Sequence, residues 1–195
     1  MVIGVLALQG AFIEHENMLH TLGVSCIELR NAEDLKKKYD GIILPGGEST
    51  VQRKLLYGLG MHSTLQQQIQ NGIPVLATCA GMILLASQIE QQDTPCFATI
   101  PMTVRRNAYG RQLGSFHTVS TVKHVGTVPM TFIRAPYVTK AEPSVELLAS
   151  VDDKIVGVQY GRQLAFAFHP ELDESTRIHQ YFMKLIEERQ SQQPV

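Results

Sequence analysis

The chain has 195 residues, 44% apolar and 18% charged, with 17 basic against 18 acidic side chains and a formal net charge of -1. Such a length and balance fit one compact domain with a core of its own. They exclude a phosphate-neutralising surface, because Lys36-Lys37-Lys38 and Arg105-Arg106 are too short for a nucleic-acid footprint. They also exclude a bilayer-spanning segment, since no apolar run is long enough.

In chain order, the first half alternates two kinds of segment. Short β-rich apolar runs fall at about residues 2–8, 25–29, 41–44 and 74–78, and helix-like stretches at about 12–22, 50–57, 65–71 and 80–89. Continuous apolar strands between amphipathic helices predict βαβ units and a mostly parallel sheet buried on both faces. The second half reads as strands at about 97–105, 116–123, 130–135, 145–151, 155–160 and 163–168, punctuated by Gly, Pro and Asn. These predict hairpins or an antiparallel extension of the sheet. An amphipathic helix over about 175–188 and a frayed polar tail at about 189–195 close the chain. With no repeat or linker, the expectation is a single α/β domain (1–195), a three-layer sandwich around a mixed, mostly parallel sheet. In such sheets ligands gather at the carboxyl ends of the strands.

The opening Met1-Val2-Ile3-Gly4-Val5-Leu6-Ala7-Leu8 carries no basic leader or cleavage site. Cys26, Cys79 and Cys96 are odd in number, widely spaced and free of any C-x-x-C pattern. Both features lead to an expected cytoplasmic, reducing location. His15 and His20 lie five apart, which does not place them on one helix face. His62, His117, His124 and His179 are scattered. No spacing resembles a metal site, so neither metal nor cofactor is expected.

Cys79 follows the 74–78 strand and precedes a helix-like run, with Ala77, Ala80 and Gly81 as small neighbours. That is the logic of a nucleophile elbow with sulfur as the nucleophile. The alternative is a buried cysteine packing as a small hydrophobe, the reading taken for Cys26 and Cys96. His169-Pro170-Glu171 also leaves a strand's carboxyl end. Proline disfavours helix at His169 and is expected to keep the segment extended. His169 and Glu171 then point to one side, as a base and the group that orients it. A plain surface turn is the competing reading. Leu44-Pro45-Gly46-Gly47-Glu48-Ser49-Thr50 is either a tight βα turn or half of an oxyanion hole formed by the Gly47 and Ala80 N–H groups. It is no P-loop, lacking Gly-Lys-Ser/Thr, and Ser49 lacks the small flanks of a nucleophile.

Together these residues resemble class I (triad) glutamine amidotransferases, a flavodoxin-like fold family, and within it the glutaminase subunits of pyridoxal 5'-phosphate synthases. The likeness covers nearly the whole chain. It runs through Gly4-Val5-Leu6-Ala7-Leu8-Gln9-Gly10-Ala11, Pro45-Gly46-Gly47-Glu48-Ser49-Thr50, Thr78-Cys79-Ala80-Gly81, Arg106-Asn107-Ala108-Tyr109-Gly110-Arg111-Gln112, Phe132-Ile133-Arg134-Ala135-Pro136 and Phe168-His169-Pro170-Glu171-Leu172. The resemblance implies a Cys79–His169–Glu171 triad that hydrolyses L-glutamine. It implies substrate contacts at Gly47, Glu48, Ser49, Arg106, Ile133 and Arg134, with a guanidinium suited to the α-carboxylate and Glu48 to the α-ammonium. It also implies a separate (β/α)8-barrel synthase partner that receives the ammonia. The lone subunit is expected to be weakly active or silent, because an oxyanion peptide at Gly46-Gly47 can flip and docking can set it. Gln9 and Gly10 are expected to face either this loop or the partner. Leu113-Gly114-Ser115-Phe116-His117, where the family often has an acidic-Ser-Phe-Glu stretch, and the loop at 124–129 depart from the pattern. The competing readings are the glutaminase subunit of another amidotransferase such as imidazole glycerol phosphate synthase, a stand-alone cysteine hydrolase or peptidase, and a non-catalytic glutamine-binding regulatory subunit.

Overall fold

The computed structural model describes residues 1–91, 94–106 and 114–192. Its first strands, β1 (Val2–Leu6), β2 (Ser25–Leu29), β3 (Gly41–Leu44) and β4 (Val75–Thr78), pair in parallel and are joined by β12 (Gln163–Phe166) in the order β2-β1-β3-β4-β12. All residues of β3, β4 and β12 are buried, as expected of strands covered on both faces. Beyond β12 the sheet turns antiparallel through β11 (Lys154–Tyr160), β9 (Tyr137–Ala141) and β6 (Ile100–Arg105), and β5 (Ala86–Ile89) closes that edge in parallel with β6. A further strand, β10 (Glu146–Val151), pairs with β11, while β7 (Ser115–Val122) and β8 (Gly126–Ile133) form a hairpin of their own.

Helices cover both faces, as one strand demonstrates. A side chain on Gly41 would run into Phe182 and Ile186 of α5 (Arg177–Gln192), whereas Leu44 presents its Cβ to Gly81 of α4 (Ala80–Leu85). Residues three apart on a strand point to opposite faces, so α5 and α4 lie on opposite sides of the sheet. The helix α1 (Phe12–Thr21) meets α5 through His15 and His179, and α2 (Ser49–Gly58) packs on α4. Between α2 and β4 lies α3 (His62–Gln70). The three-layer mixed α/β architecture expected from the sequence is therefore present.

Several boundaries differ from expectation. The run expected as a helix at 80–89 divides into α4 and β5 at Ala86. Its core, Met82-Ile83-Leu84-Leu85-Ala86, is apolar all round, so no periodicity separates helix from strand there, and pairing with β6 decides the second half. The strand expected at 130–135 is instead β8, which absorbs most of the supposed 124–129 loop, and β9 was not anticipated. The last helix continues through the expected frayed segment as far as Gln192, and residues 193–195 lie outside the described residues.

Gly81 fixes how closely α4 approaches β3. A Cβ there would stand 2.1 Å from the Leu44 carbonyl oxygen, a backbone atom with no rotamer escape. Gly81→Ala is therefore expected to destabilise the fold by about 1–3 kcal/mol, measured as a lower urea midpoint. An unchanged midpoint would contradict this packing.

Candidate active site

At the carboxyl ends of β1, β3, β4 and β12 the loops enclose a cleft of about 210 Å³, smaller than the roughly 300–1,000 Å³ of sites for drug-sized ligands. It lies at the switch point where β1 has β2 on one side and β3 on the other. Gly47, Glu48, Ser49, Cys79, Arg106, Ile133, Arg134 and His169 all line it. Every substrate-contact residue expected from the sequence thus reaches one cleft. The motif following Arg106, residues 107–112, lies outside the described residues, as does Leu113.

Cys79 caps α4 with φ 47° and ψ -101°, a left-handed conformation rare for a residue with a side chain. Holding such a residue costs of order 1–3 kcal/mol and marks a place where surrounding structure dictates the backbone. Part of that structure is visible: the Cys79 N–H donates to the Phe166 carbonyl at 2.8 Å, fastening the turn to β12. The sulfur lies 3.9 Å from the Ile133 carbonyl and interacts with the His169 imidazole.

The carbonyl of Thr131 on β8 accepts the His169 N–H at 2.8 Å, and the Thr131 hydroxyl donates to Asp173 at 2.9 Å. His117 on β7 reaches the same carboxylate at 3.4 Å, which gives one departure from the family pattern a structural place. Hairpin β7–β8 therefore steadies the His169 loop and carries Ile133 and Arg134 to the cleft. Residues Pro170–Leu172 form a 3-10 turn rather than the expected extended segment. Proline's fixed φ suits the first position of such a turn as well as an extended chain. The pairing survives the change, with His169 Nδ1 2.7 Å from Glu171 Oε1, both residues buried.

The electrostatics of this pair are set by its surroundings. Burial disfavours charge on His169, but the Cys79 sulfur and the Glu171 carboxylate outweigh it and lift the imidazole from 6.5 to about 10. Burial likewise opposes the charge on Glu171, and the neighbouring His15 and His169 rings overcome it, holding the carboxyl below its usual range. Cys96 differs: burial pushes its thiol up to about 12, and all three cysteines are free. Among the described residues no group of three or more His, Cys, Asp or Glu is placed to hold a metal ion, and no helix is long and apolar enough to cross a membrane.

On the loop opposite Cys79, the Gly46 N–H donates to the Thr78 hydroxyl at 3.1 Å, and the Gly46 carbonyl accepts from the Ala11 N–H at 3.0 Å. A Cβ on Gly46 would lie 2.3 Å from His169 Cε1, so only glycine lets the loop pass beside that ring. Gln9 faces this loop: its amide oxygen accepts from the Glu48 N–H at 2.7 Å, and its carbonyl from Gln52 Nε2 at 2.9 Å. Glu48 and Arg106 pair with each other at 2.9 Å across the cleft mouth. Sequence reading missed Gln52, His15 and His179. Thr78 belongs to the Thr78-Cys79-Ala80-Gly81 motif, which by itself gives it no role. Each works through a partner distant in sequence, a relation no local spacing reveals.

The fold and this cleft define a protein of the class I glutamine amidotransferase type. The chain belongs to the SNO glutamine amidotransferase family, which it matches over residues 5–188. It is 55% identical over 186 residues to a Desulfitobacterium hafniense protein named Pyridoxal 5'-phosphate synthase subunit PdxT, covering 95% of this chain and 94% of the relative. A Methanocorpusculum labreanum protein of the same name is 53% identical over 186 residues, 95% of this chain and 98% of the relative. A crystal structure described as a glutamine amidotransferase superposes with a TM-score of 0.91 at 40% identity, covering 96% of this chain and all of the other.

The raised His169 value has a sign that can be tested. Its folded pKa exceeds the free value, so its contribution to stability is full below about pH 6.5 and is lost as pH rises toward about 10. Cys79→Ala removes one of the groups that raise it. An NMR titration of His169 is expected to show a lower pKa in that variant, and an unchanged value would contradict the pairing.

Proposed function

We propose that this chain is the glutaminase subunit of a cytoplasmic pyridoxal 5'-phosphate synthase, acting as a single glutaminase domain. It hydrolyses L-glutamine to L-glutamate and hands the ammonia to a (β/α)8-barrel synthase partner, needing neither nucleic acid nor membrane. The observation that carries this reading is Cys79, strained at the end of β4, facing a buried His169–Glu171 pair at the end of the neighbouring strand. A purely regulatory glutamine binder has no use for a strained cysteine beside an imidazole that is paired with a buried carboxylate. Family membership and full-length relatives named as pyridoxal 5'-phosphate synthase subunits favour this partner over the imidazole glycerol phosphate alternative.

In this reading the proton of the Cys79 thiol is carried by His169 Nε2, since Nδ1 is engaged by Glu171, which is what makes the imidazole the charged partner of the sulfur. Sulfur adds to the carboxamide carbon, and the resulting oxyanion is received by the Gly47 and Ala80 N–H groups. Collapse breaks the C–N bond while His169 returns the proton to the leaving ammonia. His169 then activates water, which hydrolyses the glutamyl thioester to glutamate and restores the thiol. Glu171 orients the imidazole throughout and balances its charge.

At the mouth, Arg106 and Glu48 meet each other. A bound amino acid supplies a carboxylate for the guanidinium and an ammonium for Glu48, exchanging one ion pair for two. Ser49, Ile133 and Arg134 complete the contacts. The Ala11 hydrogen bond holds the Gly46–Gly47 peptide in one orientation, and a flip of that peptide would have to break it. Partner docking is the natural trigger for such a step.

Ammonia and glutamate release from L-glutamine, measured with and without a vitamin B6-type synthase subunit, tests this function. Release is expected to rise with the synthase and to vanish in Cys79→Ala. Equal inactivity of wild type and variant beside a competent synthase would refute the assignment.

A further inference from the structure

Behind the proposed triad lies a buried polar cluster that the chemistry above does not use. His15 of α1 and His179 of α5 are both fully enclosed, with His15 Nδ1 2.9 Å from His179 Nε2. The other His15 nitrogen, Nε2, is 3.1 Å from the Thr78 hydroxyl and 3.4 Å from Glu171 Oε2. Thr78 is the residue before Cys79, and its oxygen also accepts the Gly46 N–H. One imidazole therefore touches the carboxylate of the proposed triad and, through a single hydroxyl, the loop assigned to the oxyanion.

We propose that His15 is a positioning residue for the glutaminase reaction, a neutral ring with its hydrogen on Nε2, fixed by His179, that orients Glu171 and anchors the Gly46 loop through Thr78. The inference rests on the function proposed above.

The tautomer follows from hydrogen-bond accounting. Burial lowers the pKa of both rings, so both are neutral and each carries one N–H. His179 Nδ1 has no partner among the described residues. Were the shared hydrogen on His15 Nδ1, His179 Nε2 would be the acceptor and its own hydrogen would sit on Nδ1, a buried donor without a partner. His15 would also turn a lone pair on the Glu171 carboxylate. Donation from His179 Nε2 to His15 Nδ1 leaves only an acceptor unmade on His179 and passes the leftover buried donor to the Thr78 hydroxyl. The Glu171 carboxylate therefore decides, since it then meets an N–H rather than a lone pair. That donation leaves the His15 Nε2 hydrogen directed at Thr78 Oγ1, with Glu171 Oε2, which has no hydrogen-bond partner among the described residues, facing it at 3.4 Å. Thr78 then accepts from His15 and from Gly46 with its two lone pairs. A neutral donor steadies the carboxylate without adding a cation that would compete with His169 for it. The chain of contacts ties the proposed base–carboxylate pair and the proposed oxyanion loop to a common support.

Long-range ¹H–¹⁵N spectra of the full chain at neutral pH read the ring nitrogens directly. His15 and His179 are expected to be neutral Nε2–H tautomers, and a protonated or Nδ1–H His15 overturns the proposal. Kinetics with the synthase subunit present supply the functional arm. His15→Phe is expected to lower kcat about 10- to 100-fold while KM for glutamine changes less than about threefold. His15→Gln, whose amide nitrogen reaches roughly the place of Nε2, is expected to recover most of that loss. Phe and wild type with equal kcat overturn the proposal, and so does a soluble, folded Gln variant no better than Phe. The spectra need no turnover, so they decide the His15 assignment even where wild type itself releases no ammonia, a result that counts against the proposed function instead.

Discussion

The parallel pairing of β4 with β12 brings together residues from opposite halves of the chain, in the register Thr78↔Phe166. Parallel neighbours stand about 4.8 Å apart, so whatever follows each strand emerges beside the other. Cys79 follows one and His169 the other. The Cys79 N–H bond to Phe166 ties the two ends where the backbone is strained. Shifting that register would separate sulfur from imidazole and expose an interior of fully buried strands.

Close packing around this pair restricts composition more tightly than chemistry alone would. Gly81 lets α4 settle on β3, and Gly46 lets the loop from β3 pass against the His169 ring. Strain at Cys79 is sustained by these contacts, since a looser helix or loop would let the turn relax. The charged groups are arranged in the same economy of space. Glu171 gives one oxygen to His169 and turns the other to His15, so a single buried carboxylate joins the cleft to the histidine pair behind it.

Much of this was legible in the sequence because the informative signals are local. Apolar strands followed by small residues point to the Cys79 elbow, and the rule that ligands gather at strand carboxyl ends points to it and to the Gly46-Gly47 loop. The strand order that sets them side by side comes from the structure. His169 and Glu171 are legible as a pair because they stand two positions apart, although a 3-10 turn makes the contact rather than an extended chain. What stayed hidden depends on distant partners. The spacing of His15 from His20 gives it no role, yet its partners are Thr78, Glu171 and His179. The division of 80–89 into α4 and β5 was hidden for a related reason, because only the presence of β6 makes a strand of Ala86–Ile89.

The account stands or falls on a covalent bond at Cys79. Rapid acid quench during turnover of L-glutamine with the synthase subunit present, followed by mass spectrometry of the digested chain, reads that bond directly. The account predicts one glutamyl adduct on the peptide containing Cys79, present in wild type, enriched when hydrolysis is slowed, and absent in Cys79→Ala. Ammonia release without any such adduct, or an adduct at Cys26 or Cys96, would contradict it.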